Sequence, residues 1–200
     1  MTQMKLYHSP NSPYARKVRV LAIERGIIDQ IELIEVSTAD LNGPLMKVNP
    51  LGKVPALQTA ADGVIHDSPL ICEYLDGYIS SASRAGKVSE LDDKRLAATA
   101  QGMLDAGYAA RMEKTRPEHL QWSDWTNKQF GKINRMLDHL ETTAQQLPAE
   151  PTIGAIGLAC TLEWLAFRHP EGKWLATRPQ LAHWASEFAK RPSMQSTQPA

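Results

Sequence analysis

What this sequence lacks removes several classes of function before any motif is considered. Its only two cysteines, Cys72 and Cys160, sit in apolar helical patterns with no Cys-x-x-Cys spacing. They therefore form neither a disulfide framework nor a redox dithiol, and read as small buried hydrophobes suited to a reducing compartment. There is no excess of charge: 22 basic residues face 22 acidic ones. That balance removes the electrostatic pull toward nucleic acid or anionic lipid and leaves little charge repulsion between copies. No apolar run approaches the ~18 residues of a membrane span. No basic segment followed by an apolar stretch opens the chain. The histidines are scattered without metal-ligand spacing. The expectation is a cytoplasmic protein with no metal, no nucleic-acid partner and no membrane partner.

What is present is ordinary globular material, 42% hydrophobic and 22% charged over 200 residues, enough for a sizeable core. The first 80 residues mix periods. Strands are predicted at Lys5–His8, Ile31–Val36, Pro55–Gln58 and Val64–His66, with Asp62-Gly63 turning between the last two. Helices are predicted at Pro13–Arg25, where Ala15, Val18, Leu21 and Ala22 share a face and Gly26 stops the run, and at Pro69–Ile79. Ala39–Val48 is a poorly defined helix or loop, giving the order βαβαββα. After Tyr78 the texture changes: Ser80-Ser81-Ala82-Ser83 with Gly86 resembles a linker, and only helical spacing follows. Leu96, Ala100, Met103 and Gly107 mark one helix, and Ile133, Leu137, Leu140, Ala144 and Leu147 another. Ile153, Ile156, Cys160, Trp164 and Phe167 mark a nearly all-apolar, central helix. Leu181, Trp184, Ala185, Phe188 and Ala189 mark a last short one. Residues beyond Arg191 are polar and expected to fray. The predicted domains are 1–80 (α/β), 81–87 (linker) and 88–200 (all-α).

Chemistry concentrates at three places in the first domain. Ser12-Pro13 opens a helix: serine is a favoured N-cap and proline a favoured first residue. The same geometry also suits an anion, because a helix N-terminus offers unpaired N–H groups and a partial positive charge. A hydroxyl there favours a thiolate over a thiol. Lowering a thiol pKa by two units takes ~2.7 kcal/mol, within reach of one charge-assisted hydrogen bond and a helix end. Asp67-Ser68-Pro69 repeats the design, with Ser68 as the predicted N-cap and Pro69 as the first helical residue. It reads as a cap, or as a site where Ser68 takes a carboxylate and Asp67 an ammonium. Between them lies Asn49-Pro50-Leu51-Gly52-Lys53-Val54-Pro55-Ala56-Leu57. A cis Val54–Pro55 bond would present the Val54 N–H and C=O to an extended peptide, as a sheet edge does. A short peptide with a central thiol and a free amino-acid end, such as glutathione, fits this set.

These segments, Ser12-Pro13-Tyr14-Ala15-Arg16-Lys17-Val18-Arg19, the stretch Asn49–Leu57 and Asp67-Ser68-Pro69-Leu70-Ile71, resemble the glutathione S-transferase superfamily in order and spacing, and its short bacterial serine-type members most. The resemblance spans the chain and is weaker in the helical half. It implies a thioredoxin-like α/β N-terminal domain followed by an all-α C-terminal helical bundle, usually in a homodimer. It implies that Ser12 hydrogen-bonds the glutathione sulfur, with Ser9 as a rival. It further implies that Val54, before a cis Pro55, pairs with the peptide, that Asp67 and Ser68 hold the γ-glutamyl end, and that Lys53 reaches the glycine carboxylate. The electrophile pocket would draw on the helix carrying Met103, Asp105, Tyr108, Arg111 and Met112, with Arg111 and Arg116 able to attract an anionic substrate. The implied function is a glutathione transferase acting on a small electrophile, with detoxification as the broad role; an isomerase or dehalogenase using glutathione fits the same site. The alternative is a glutathione-binding or partner-binding regulatory relative without significant turnover. Members commonly open the central helix with Thr/Ser-x-x-Asp. Here Thr152-Ile153-Gly154-Ala155 puts alanine where the carboxylate would stand, and Gly154 and Gly157 are poor helix formers. On this basis Ala155→Asp is expected to raise the thermal midpoint.

Overall fold

The computed structural model describes residues 4–78 and 89–199, and the predicted linker 81–87 lies outside them. Two compact units are present: Met1–Lys87 together with Pro192–Ala200, and Val88–Arg191.

The first unit follows the predicted order. It comprises β1 (Met4–His8), α1 (Pro13–Glu24), β2 (Ile31–Glu35), α2 (Pro44–Val48), β3 (Ala56–Thr59), β4 (Gly63–His66) and α3 (Ser68–Tyr78). The sheet order is β2-β1-β3-β4, with β1 parallel to β2 and the other pairs antiparallel. Strand alternation sorts the core onto two faces. Tyr7 and Ala56, opposite each other in register, cluster with Val36 and with Leu45 of α2. Leu6 and Leu57, the next pair, point to the other face and are fully buried; each such leucine contributes ~1.5–3 kcal/mol relative to exposure. Helix α1 buries Ala15, Val18, Leu21 and Ala22 as its spacing requires, and packs on α3, where Arg25 pairs with Asp76 at 2.7 Å.

The predicted fraying after Arg191 does not occur. Pro192–Gln195 forms a short helix, α8, grouped with the first unit rather than the second. Ser193, Met194 and Thr197 are buried. The reason lies in α1. The buried Arg16 guanidinium donates to the Met194 carbonyl (3.0 Å) and to Thr197 Oγ1 (3.3 Å). Ser193 Oγ donates to Glu24. A polar composition alone could not reveal partners 169 to 181 residues away.

The second unit is helical: α4 (Glu90–Lys114), α5 (Ser123–Thr143), α6 (Ile153–Arg168) and α7 (Pro179–Ala189). Helix α6 is the central one, buried from Gly154 through Leu162 and again at Trp164 and Leu165, and it packs on α4 and α7. Phe167, expected on its apolar stripe, is 39% exposed. The start of α6 explains the missing carboxylate. Thr152 Oγ1 caps by accepting from Ala155 N (3.1 Å), and Asp93 of α4 accepts from Gly154 N (2.9 Å). Gly154 is required by this contact: a Cβ would lie 2.6 Å from the Asp93 carbonyl oxygen. The glycine that weakens the isolated helix is thus what lets α4 approach and supply the cap.

Candidate active site

The register of the sheet brings the three motif segments to one end of the first unit. Ser12 follows the C-terminal end of β1, and Pro55 immediately precedes β3. Tyr7, near the end of β1, is paired with Ala56, and Ala56 with His66, the last residue of β4. Asp67 and Ser68 follow His66 directly. Three loops far apart in sequence are thereby delivered to the same sheet end.

Ser12 is the N-cap of α1. Its Oγ accepts from Ala15 N (3.2 Å), its carbonyl accepts from Arg16 N (2.9 Å), and its own N–H donates to the Ser9 carbonyl (3.0 Å). With Oγ used as an acceptor, the hydroxyl proton is left to donate. Ser9 lies three residues before the helix end and contributes its carbonyl to the turn. The surroundings favour an anion: the first turn of α1 holds no acidic residue. Burial and the charge of Arg16 hold the Arg19 guanidinium below its ordinary range. His8, which ends β1, is buried with Nδ1 unbonded. Burial, then the charge of Arg19, push its imidazole below the usual value of 6.5, against an opposing pull from Glu35.

The second segment is organised by a residue whose role the sequence reading missed. Asn49 is buried; its Nδ2 donates to the Lys53 carbonyl (2.9 Å), its Oδ1 accepts from Leu51 N (3.1 Å), and its carbonyl accepts from Gly52 N (2.8 Å). These bonds fix the loop that enters Val54–Pro55, and that peptide bond is cis. Among the described residues, neither the N–H nor the C=O of Val54 has a hydrogen-bond partner. The Lys53 side chain is exposed. An asparagine before proline at a helix end is a turn signal, the one clue to Asn49 that the sequence held.

The third segment corrects the predicted cap. Ser68 is the first residue of α3 rather than its N-cap; Asp67 occupies the cap position, and its carbonyl accepts from Ile71 N (3.0 Å). Asp67 has φ of 75°, a left-handed conformation that aspartate tolerates better than most residues. The shift by one residue leaves the Asp67 side chain exposed and turns Ser68 inward, 1% exposed, with its Oγ buried and unpartnered. A buried hydroxyl without a partner costs ~1–3 kcal/mol, and strain of this kind collects at ligand clamps.

In the second unit, Tyr108, Arg111 and Met112 fall on one accessible face of α4, consistent with their i, i+3, i+4 spacing. Tyr108 is 42% exposed and Met112 41%, and Arg111 is half-buried. Met103 is buried in the helical core, and Asp105 accepts from Gln101 (2.9 Å). Arg116 is held by Glu113 at 3.0 and 3.2 Å. Arg111 is therefore the more available of the two arginines expected to attract an anion.

Comparison with known proteins bears on the whole arrangement. Models of the glutathione S-transferase N-terminal and C-terminal domains match residues 11–77 and 123–186. The uncharacterized GST-like protein YibF of Escherichia coli strain K12 is 32% identical, with 98% of each chain covered. A glutathione transferase family member from Pseudomonas fluorescens Pf-5, solved with bound glutathione, superposes with a TM-score of 0.91 at 36% identity over 99% of this chain and 100% of that one. The same organism's family member with bound S-(propanoic acid)-glutathione gives 0.86 at 36% identity, over 99% of this chain and 98% of that one. With both domain models matched in order and the thioredoxin-like sheet and helical unit both in place, the chain belongs to the glutathione S-transferase family.

Proposed function

We propose that this chain is a glutathione transferase that binds reduced glutathione, stabilises its thiolate and presents it to a small electrophile. The observation that carries the reading is the buried Ser68 hydroxyl without a partner, at the same sheet end as the Ser12 cap and the open Val54 amide. In this reading Asp67 takes the γ-glutamyl ammonium and Ser68 the adjacent carboxylate. Val54 N–H and C=O pair with the peptide next to Pro55, and Lys53 reaches the glycine carboxylate. Ser12 donates to the sulfur. The thiol proton leaves to solvent, and the helix end and nearby arginines favour the charge that remains. Ser12 does not itself attack. The sulfur lone pair forms the bond to the electrophile, and catalysis is mostly positioning and thiolate stabilisation. Tyr108, Arg111 and Met112 recognise the electrophile. The Pseudomonas fluorescens relative's ligand, S-(propanoic acid)-glutathione, supports an electrophile that can carry an acid. We place the protein in the cytoplasm as a homodimer.

Calorimetric titration with reduced glutathione and with S-methylglutathione tests the reading. Binding of both in the micromolar to low-millimolar range is the expected outcome. Absence of both would leave a family member whose site is used for something other than glutathione.

A further inference from the structure

The hydroxyl assigned to the sulfur stands at a helix end that is weak on its own. The first N–H groups of a helix have no intrahelical acceptor, and helix ends fray. Acids steady an N-terminus against the helix dipole, and cations oppose it. Helix α1 has no acid in its first turn and carries Arg16, Lys17 and Arg19 within its first two turns. Ser12 closes this end by taking Ala15 N through its Oγ (3.2 Å) and Arg16 N through its carbonyl (2.9 Å). The direction of its hydroxyl therefore depends on that turn staying wound. At the other end of α1, Glu24 bonds Ser193 and Arg25 bonds Asp76, more than two turns away.

The first turn is gripped by the C-terminal segment of the same unit. Arg16, whose N–H closes onto Ser12, is 2% exposed. Its guanidinium donates to the Met194 carbonyl (3.0 Å) and to Thr197 Oγ1 (3.3 Å). Thr197 Oγ1 in turn donates to the Ser193 carbonyl (2.8 Å), so one hydroxyl accepts from Arg16 and closes the segment's own turn. Ser196 N–H donates to the Pro192 carbonyl (2.9 Å). The segment is thus wound and internally bonded, and its buried residues Ser193, Met194 and Thr197 seat it on α1. A guanidinium held at two points of its rigid fork keeps little rotamer freedom, and the backbone turn that carries it is held with it.

We propose that Pro192–Thr197 is a positioning element for the thiolate: through Arg16 it keeps the first turn of α1 wound and so fixes the direction in which the Ser12 hydroxyl meets the glutathione sulfur. Arg16 and Thr197 act as positioning residues, through Ser12 rather than on the substrate. This assignment deepens, and rests on, the transferase reading.

The test reads the thiol pKa of bound glutathione from thiolate ultraviolet absorbance against pH, in full-length variants. Thr197→Val keeps the side-chain shape and removes the acceptor for Arg16; Thr197→Ser keeps the hydroxyl. Arg16→Lys keeps the charge, loses the fork, and carries the test if valine loosens the segment altogether. Thr197→Val and Arg16→Lys should each cut the thiolate-to-thiol ratio roughly threefold, the low end of coupling between neighbouring residues. Thr197→Ser should restore it. S-methylglutathione, which has no thiol to ionise, should bind every variant alike. In a Ser12→Ala background Thr197→Val should add no further change, whereas a packing defect alone would lower the thermal midpoint in both backgrounds. If glutathione binds but its ionisation is unmoved by Thr197→Val and Arg16→Lys, or still moves without Ser12, the positioning role is overturned while the transferase reading stands. If the wild type binds neither glutathione nor S-methylglutathione, the transferase reading falls, and amide hydrogen exchange decides the hold on Ser12 by itself. Faster exchange at Ala15 and Arg16 in Thr197→Val, with Leu21 and Ala22 unchanged, supports that hold, and unchanged exchange at Ala15 and Arg16 overturns it.

Discussion

At the scale of single residues, two serines at helix starts have different fates, and each predicts a different mutant. The Ser12 hydroxyl accepts from Ala15 N (3.2 Å), so Ser12→Ala loses a cap worth ~1 kcal/mol of stability as well as the donor to sulfur that we propose. The donor matters most to the thiolate. Turnover should fall roughly 10- to 100-fold, the range of one hydrogen bond to a charged group, while the glutathione dissociation constant stays within a few-fold. Steady-state kinetics beside calorimetry checks this, and unchanged turnover would reduce Ser12 to a cap. Ser68 behaves oppositely in the absence of ligand. Its Oγ is buried without a partner, so Ser68→Ala removes a desolvation penalty of ~1–3 kcal/mol. The free protein should melt higher while glutathione binds about tenfold more weakly, a crossed pattern that a merely structural serine would not give. Asp67→Ala should weaken binding too, with the added cost of placing alanine at φ of 75°.

At the scale of elements, what could be read from sequence was what is local. The strand and helix order of the first unit, the buried stripe of α1 and the central position of α6 follow from periodicity. The Ser12 cap follows from a dipeptide. The cap at α3 was displaced by one residue because the choice between Asp67 and Ser68 depends on the left-handed turn at Asp67, which the tripeptide does not encode. Asn49 and the anchored tail were missed because their partners are set by packing rather than by spacing. The start of α6 shows the same limit and reverses a prediction. From sequence alone, Ala155→Asp should restore a capping box and stabilise. In the fold, Asp93 already accepts from Gly154 N (2.9 Å), the Thr152 N–H already donates to the Glu150 carbonyl (2.8 Å), and Ala155 is fully buried. A carboxylate placed there is desolvated with no donor waiting, so the thermal midpoint should fall, by the equivalent of ~1–3 kcal/mol. Asp93→Ala should also lower it, by leaving the Gly154 N–H without its acceptor. A higher midpoint for Ala155→Asp would mean that the Asp93 contact is not what caps α6.

At the scale of the whole molecule, two buried imidazoles make stability depend on pH in a definite direction. Burial dominates at both His8 and His169, and both fall below the usual 6.5. His169 is fully buried, wedged edge-on between the Phe130 and Trp164 rings and bonded through Nε2 to the Gly107 carbonyl (3.0 Å). That carbonyl and Glu171 favour the charged form and Lys114 opposes it, but desolvation outweighs them. A base whose pKa is lower in the folded state binds its proton more readily when unfolded. The stability from keeping it neutral is therefore fully present above about pH 6.5 and is lost as pH falls below that value toward the folded pKa. The thermal midpoint should decline between pH 7.5 and pH 5.5. This lies above the window in which the hydrogen-bonded carboxylates Asp92, Glu113, Glu171 and Glu187, all held below their usual range, begin to protonate. His169→Phe keeps the ring contacts and removes the titration. It should lower the midpoint at pH 7.5, through the lost bond to Gly107, yet flatten the decline, with the remaining slope due to His8. Calorimetric melts at half-unit pH steps would separate the two effects, and an unchanged slope in the variant would show that His169 is not the group being protonated.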